Sequence, residues 1–69
     1  MDAAIIDRFR RIIASHTGLV VPERDGPMLR AKLEERLSAL HLPFPELYLA
    51  LLESETGGSR DEWRELVLN

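Results

Sequence analysis

Ile5, Ile6, Phe9, Ile12 and Ile13 fall at i, i+1, i+4, i+7 and i+8, and side chains at that spacing line up as one stripe along a helix of 3.6 residues per turn. The recurrence returns in Leu29, Leu33, Leu37 and Leu40, then in Leu47, Tyr48, Leu51 and Leu52, and finally in Trp63, Leu66 and Val67. Residues that start or stop helices separate the stripes. Asp2 is placed to accept orphan backbone N–H groups at the first start, and Gly18 tolerates the left-handed conformation at the first end. Pro27 fits the first turn of the second helix, where no N–H is needed, and Pro43 and Pro45 push the residues before them out of helical space. Ser59-Arg60-Asp61-Glu62 has the S-x-x-E pattern of a capping box, in which each side chain satisfies a backbone donor. Glu55-Thr56-Gly57-Gly58 reads as the flexible loop before it.

The spacing predicts helices over about 3–16, 25–41, 45–54 and 60–68 of a single domain, 1–69. Leu19-Val20-Val21, closed by Pro22, is too short for a sheet without a partner strand and reads as an extended connector pinned to the core. The expected fold class is all-α, a bundle of four short helices. With 69 residues and no cysteine, neither disulfides nor Cys-based zinc holds the chain, so an apolar core must. A complete cofactor-and-substrate cleft is not expected at this length.

Charge narrows the function classes. The net charge is −3, from 12 acids and 9 bases, and residues 43–69 alone carry −4. A free-standing nucleic-acid binder relies on phosphate neutralisation, so that class is set aside. No apolar run approaches a membrane span and no basic-then-apolar leader opens the chain, which makes a cytoplasmic protein without membrane insertion the expectation.

Residues that carry chemistry all have a plainer reading. His16 and His41 suit helix C-termini, where a partly charged imidazole complements the dipole. The sequence has no HExxH and no nucleophile elbow, and Glu53, Glu55, Asp61, Glu62 and Glu65, whose spacing is not that of a Ca²⁺ loop, read as a solvated face. Gly18, Gly26, Gly57 and Gly58 make no G-x-G-x-x-G cradle. Trp63 reads as a core anchor. One constellation is left: Arg30, Lys32 and Arg36, with Lys32 and Arg36 adjacent on one flank of the second helix. Arg30 to Glu34 and Lys32 to Glu35 are favourable helix pairs worth about 0.2–0.5 kcal/mol each. The cluster therefore reads either as a salt-laced surface or as a docking site for an acidic partner.

The order of the residues says more. Phe9-Arg10-Arg11-Ile12-Ile13, Thr17-Gly18-Leu19, the run from Leu29 through Lys32-Leu33 to Arg36-Leu37-Ser38-Ala39-Leu40-His41-Leu42, then Phe44, Tyr48 and Leu49, then Glu62-Trp63 with Leu66 and Val67 resemble the N-terminal helical domain of the CheR-type chemotaxis methyltransferases. The resemblance runs from about Asp7 to Asn69. It implies a substrate-recognition or lid domain of an enzyme that transfers methyl from S-adenosylmethionine to glutamates on the cytoplasmic helices of chemoreceptors. The cofactor would be held chiefly by a C-terminal α/β domain in cis, so the 69 residues alone are expected to be inactive, with no catalytic residue, cofactor site or metal site. By the same resemblance Arg30, Lys32 and Arg36 would dock the acidic methylation region of the receptor. Glu35 and Ser38 stand where the family often has arginine, Asp25 where it has lysine, and His41 where it has glycine, which leaves the face less positive and the helix end less suited to a left-handed cap. The alternative is a non-enzymatic helical interaction or self-association module on the same scaffold.

Overall fold

The computed structural model describes residues 1–54 and 57–68. Four α-helices follow one another: α1 (Ala3–Thr17), α2 (Gly26–Ala39), α3 (Pro45–Glu53) and α4 (Gly57–Leu68), with a single 3-10 turn at Glu23–Asp25 leading into α2. No strand occurs among the described residues, and the fold is all-α. α2 lies against α1, α3 and α4, and α3 packs most extensively on α4.

The punctuation works as its chemistry dictates. The Asp2 carboxylate accepts from the Ile5 N–H at 3.0 Å. Gly18 closes α1 at φ 78°, its N–H donating to the Ala14 carbonyl. Pro27 and Pro45 sit in the first turns of α2 and α3. The second helix ends earlier than expected, at Ala39, because His41 adopts the left-handed conformation at φ 56°. The Leu42 N–H then donates to the Leu37 carbonyl at 2.9 Å and the His41 N–H to the Ser38 carbonyl at 3.2 Å, which is a complete Schellman cap. A histidine has therefore taken a conformation that suits glycine, against the expectation from its side chain. Since left-handed backbone costs a Cβ-bearing residue roughly 1 kcal/mol, His41→Gly is expected to stabilise the fold by about 0.5–1 kcal/mol. A higher urea midpoint checks this; an unchanged or lower one contradicts it.

The core is Ile5, Ile6, Phe9 and Ile13 of α1, Leu29 and Leu33 of α2, Tyr48, Leu49 and Leu52 of α3, and Trp63 and Leu66 of α4. Ile12, Val21, Leu37, Leu40, Leu51 and Val67 pack against it partly buried. The third stripe needs a correction: Leu49 is buried and Leu47 is exposed. Tyr48, Leu49 and Leu52 sit at i, i+1 and i+4, and Leu47 falls to the side of that stripe. The connector also differs from its reading. Only Val21 is pinned, by packing and by its carbonyl accepting from Arg10 Nε at 2.9 Å, whereas Leu19 and Val20 are exposed.

The start of α4 is the largest correction. The helix begins at Gly57, so Gly57 and Gly58 are helical rather than loop, and Ser59 lies inside the first turn instead of capping it. Glu55 and Thr56, the rest of the expected loop, lie outside the described residues. Ser59 is 2% exposed and its hydroxyl donates to the Leu52 carbonyl at 3.0 Å, which also accepts from Trp63 Nε1 at 3.2 Å. Carbonyls in the last turn of a helix lack intrahelical partners. Two side chains of α4 supply them to Leu52 at the end of α3.

Candidate functional site

Successive positions on α2 are rotated by about 100°, so Arg30 and Lys32 project from different flanks, while Lys32 and Arg36 share one. The structure divides the three cations accordingly. Arg30 is half-exposed, pairs with Glu34 at 3.2 Å, and borders a hollow shared with Asp7, Arg10 and Glu23 near the start of α1. Lys32 pairs with Glu35 at 3.9 Å and borders a different hollow on the α4 side. Both helix pairs foreseen from spacing are present.

Arg36 is turned toward α4 and makes a two-pronged contact with Glu62: Nε to Oε1 at 3.0 Å and Nη2 to Oε2 at 2.8 Å. The Tyr48 hydroxyl donates to the same Oε1 at 2.9 Å. The side chains of Arg36 and Glu62 are 16% and 8% exposed, and Tyr48 is fully buried. Glu62 thus departs from its reading as part of a solvated acidic face, and its carboxylate joins α2, α3 and α4. A planar guanidinium matches a carboxylate in this two-bond geometry, which a lysine does not reproduce.

The electrostatics agree with the geometry. The hydrogen bonds from Arg36 hold the Glu62 carboxyl below the usual carboxylate range; burial opposes this, and the Tyr48 hydroxyl and the Arg36 charge add to the lowering. Hydrogen bonding to Glu62 raises the Arg36 pKa, with burial again opposing. Burial, then the Glu62 hydrogen bond, raises that of Tyr48. A carboxyl whose folded pKa lies below its ordinary value near 4.5 binds fewer protons folded than unfolded through that window. Its stabilising effect is complete above the ordinary value and is lost as pH falls through the lower folded one. Urea stability is therefore expected to fall between about pH 5 and pH 3 more steeply in the parent chain than in Glu62→Gln. Equal slopes would contradict a depressed Glu62.

The histidines do not meet. His41 is the exposed left-handed residue after α2, while His16, exposed in the last turn of α1, stacks its ring on Trp63 at 4.1 Å with an interplanar angle of 1°. Trp63 is 7% exposed and is the core anchor expected of it. No group of three or more His, Cys, Asp or Glu suited to a metal occurs among the described residues. Among the described residues no feature suited to the S-adenosylmethionine implied by the resemblance is present. Among the described residues no buried polar side-chain atom lacks a partner. Gly18 closes a helix rather than approaching a ligand, and a Cβ on Gly26 would meet only Ile6, at 3.9 Å.

Sequence reasoning missed the surroundings of Lys32. Its hollow, about 310 Å³, is walled by the connector through Leu19 and Val21, by Met28 on α2, and by Leu66 and Val67 at the end of α4. Leu19 and Met28 are 55% and 67% exposed. The signal was present as apolar residues outside the core stripes, at Leu19 and Met28.

No helix among the described residues is long and apolar enough to cross a membrane. No curated protein and no solved structure matches the chain. A family model described as "CheR methyltransferase, all-alpha domain" matches residues 4–68. With nearly its whole length matched and the four helices in place, the chain belongs to the CheR methyltransferase family, as its all-α domain.

Proposed function

We propose that this domain is the substrate-recognition and lid portion of an S-adenosylmethionine-dependent protein-glutamate O-methyltransferase that acts on chemoreceptors in the cytoplasm. The cofactor and the reacting atoms belong to a catalytic domain in cis, and the 69 residues do not transfer methyl by themselves. The observation that carries the reading is the family match over residues 4–68. The cations of α2 support it. Arg30 and Lys32 are held by single carboxylates on their own helix, the first pair exposed and the second 3.9 Å apart, and contacts this weak can be exchanged for a partner's carboxylates. Docking is assigned to these two. Arg36, with its guanidinium on Glu62, is assigned to the fold. Acidic receptor helices would be steered toward α2 by long-range attraction and positioned there without bond-making.

In the methyltransferase that carries this domain, Arg30→Glu with Lys32→Glu is expected to raise the receptor KM roughly three- to tenfold, the loss of about 1 kcal/mol of rim electrostatics, with kcat unchanged. An unchanged KM contradicts the assignment. Arg36→Glu is unsuitable for this test, because it breaks the contact with Glu62.

A further inference from the structure

The N-terminal half of α1 and the start of α3 enclose a second apolar hollow, of about 600 Å³, with Met1, Ile5, Phe44 and Pro45 on its walls. Phe44 is 61% exposed and the neighbouring Leu47 45%. Exposed apolar side chains gathered around one concavity mark an interaction site. This hollow shares no lining residue with the one beside Lys32, so the docking function proposed above leaves it unused.

Its charges are of both signs and are sorted by helix. Arg8 stands on the α1 wall and Glu46 on the α3 wall, and both are exposed. Among the described residues neither belongs to an ion pair. Asp2, the remaining charge on the wall, is engaged in capping α1. The division extends along the helices: α1 has three arginines and one aspartate, and α3 has two glutamates and no base.

We infer that this face binds a second copy of the chain about a two-fold axis, with α1 of each copy against α3 of the other. A partner of one sign would be attracted by one wall and repelled by the other. A second copy turned through half a rotation brings the same two walls in reverse order. Arg8 then meets Glu46 of the other copy, Glu46 meets Arg8, and both Phe44 rings leave water, which is the self-complementarity that a two-fold contact demands. A standard interface takes about 800 Å² from each partner, roughly a sixth of the 4638 Å² that this domain exposes. A patch of one hollow and its rim therefore gives a reversible dimer of the transient class rather than an obligate one.

Sedimentation equilibrium of the 69-residue chain between roughly 10 μM and 1 mM, with its amide chemical shifts followed over the same range, tests the inference. A reversible monomer–dimer equilibrium is expected, with concentration-dependent shifts at Ala4, Arg8, Phe44 and Leu47. Arg8→Glu makes both walls acidic and Glu46→Arg makes both basic, so each variant alone is expected to dimerise more than about tenfold more weakly than the parent chain. An equimolar mixture of the two is expected to regain association, because every charge pair across the axis is then of opposite sign. Phe44 is the N-cap of α3 and makes no capping bond there, a position where aspartate is favoured. Phe44→Asp is therefore expected to keep the helical circular dichroism and to weaken the dimer by more than about tenfold. A chain that stays monomeric over the whole range, particles larger than a dimer, shifts centred on Leu19 and Met28, a mixture that associates no better than its components, or a dimer unchanged by Phe44→Asp would each overturn the inference.

Discussion

Glu62→Ala is expected to remove about 3–5 kcal/mol of folding stability, because truncating one member of a buried ion pair leaves the other without compensation. The Arg36 side chain is 16% exposed and would lose both of its carboxylate acceptors, and the fully buried Tyr48 hydroxyl would lose its acceptor as well. A domain of this size has a total stability of only roughly 3–10 kcal/mol. The variant is therefore expected to be largely unfolded under conditions where the parent chain is folded, as read by urea titration of the helical circular dichroism. Two companions separate charge from shape. Arg36→Met combined with Glu62→Leu and Tyr48→Phe removes both charges and the hydroxyl that depends on them, and is expected to recover most of the loss, since apolar side chains of similar volume tolerate burial. Tyr48→Phe leaves the ion pair and is expected to cost about 1.5–3 kcal/mol, one hydrogen bond to a charged acceptor. A loss below about 1 kcal/mol for Glu62→Ala would contradict the clamp.

Phe9→Ala is expected to cost about 3–5 kcal/mol, by lost transfer energy and by the cavity left behind. Phe9 is fully buried, and its ring centroid lies 6.0 Å from that of Tyr48 with a tilt of 34° between the planes. That contact joins α1 to α3, and no neighbouring side chain can fill the space without pulling one helix from the other. Phe9→Leu keeps most of the volume and is expected to cost about 1 kcal/mol. Equal losses for the two substitutions would mean that the aromatic ring itself, rather than filled volume, sets the cost.

The helices were legible in the sequence because each local signal agreed with the next. Asp2, Gly18, Pro27 and Pro45 fix backbone chemistry within a turn of where they stand, and the stripes of α1 and α2 follow directly. The fourth helix was harder to read because S-x-x-E has two meanings. Ser59, Glu62, Trp63 and Leu66 lie at i, i+3, i+4 and i+7, which is also the spacing of a buried face, and tertiary packing selects that meaning. Arg36 follows Leu29 and Leu33 on the same kind of stripe, seven and three positions on, which was the available sign that it turns inward. Its partners on α3 and α4, like the stack of His16 on Trp63, depend on how helices meet across the bundle. Periodicity along one helix carries no such information. The same limit hid the hollow beside Lys32, since it is formed only when the connector, Met28 and the end of α4 come together.

The division of labour among the α2 cations is tested most directly by one urea-unfolding comparison, Arg36→Glu beside Lys32→Glu. With Arg36 paired to Glu62 and Lys32 bordering the surface hollow, Arg36→Glu is expected to lose more than about 3 kcal/mol and Lys32→Glu to stay within about 0.5 kcal/mol of the parent chain. Equal losses, or a larger loss at Lys32, would contradict the account.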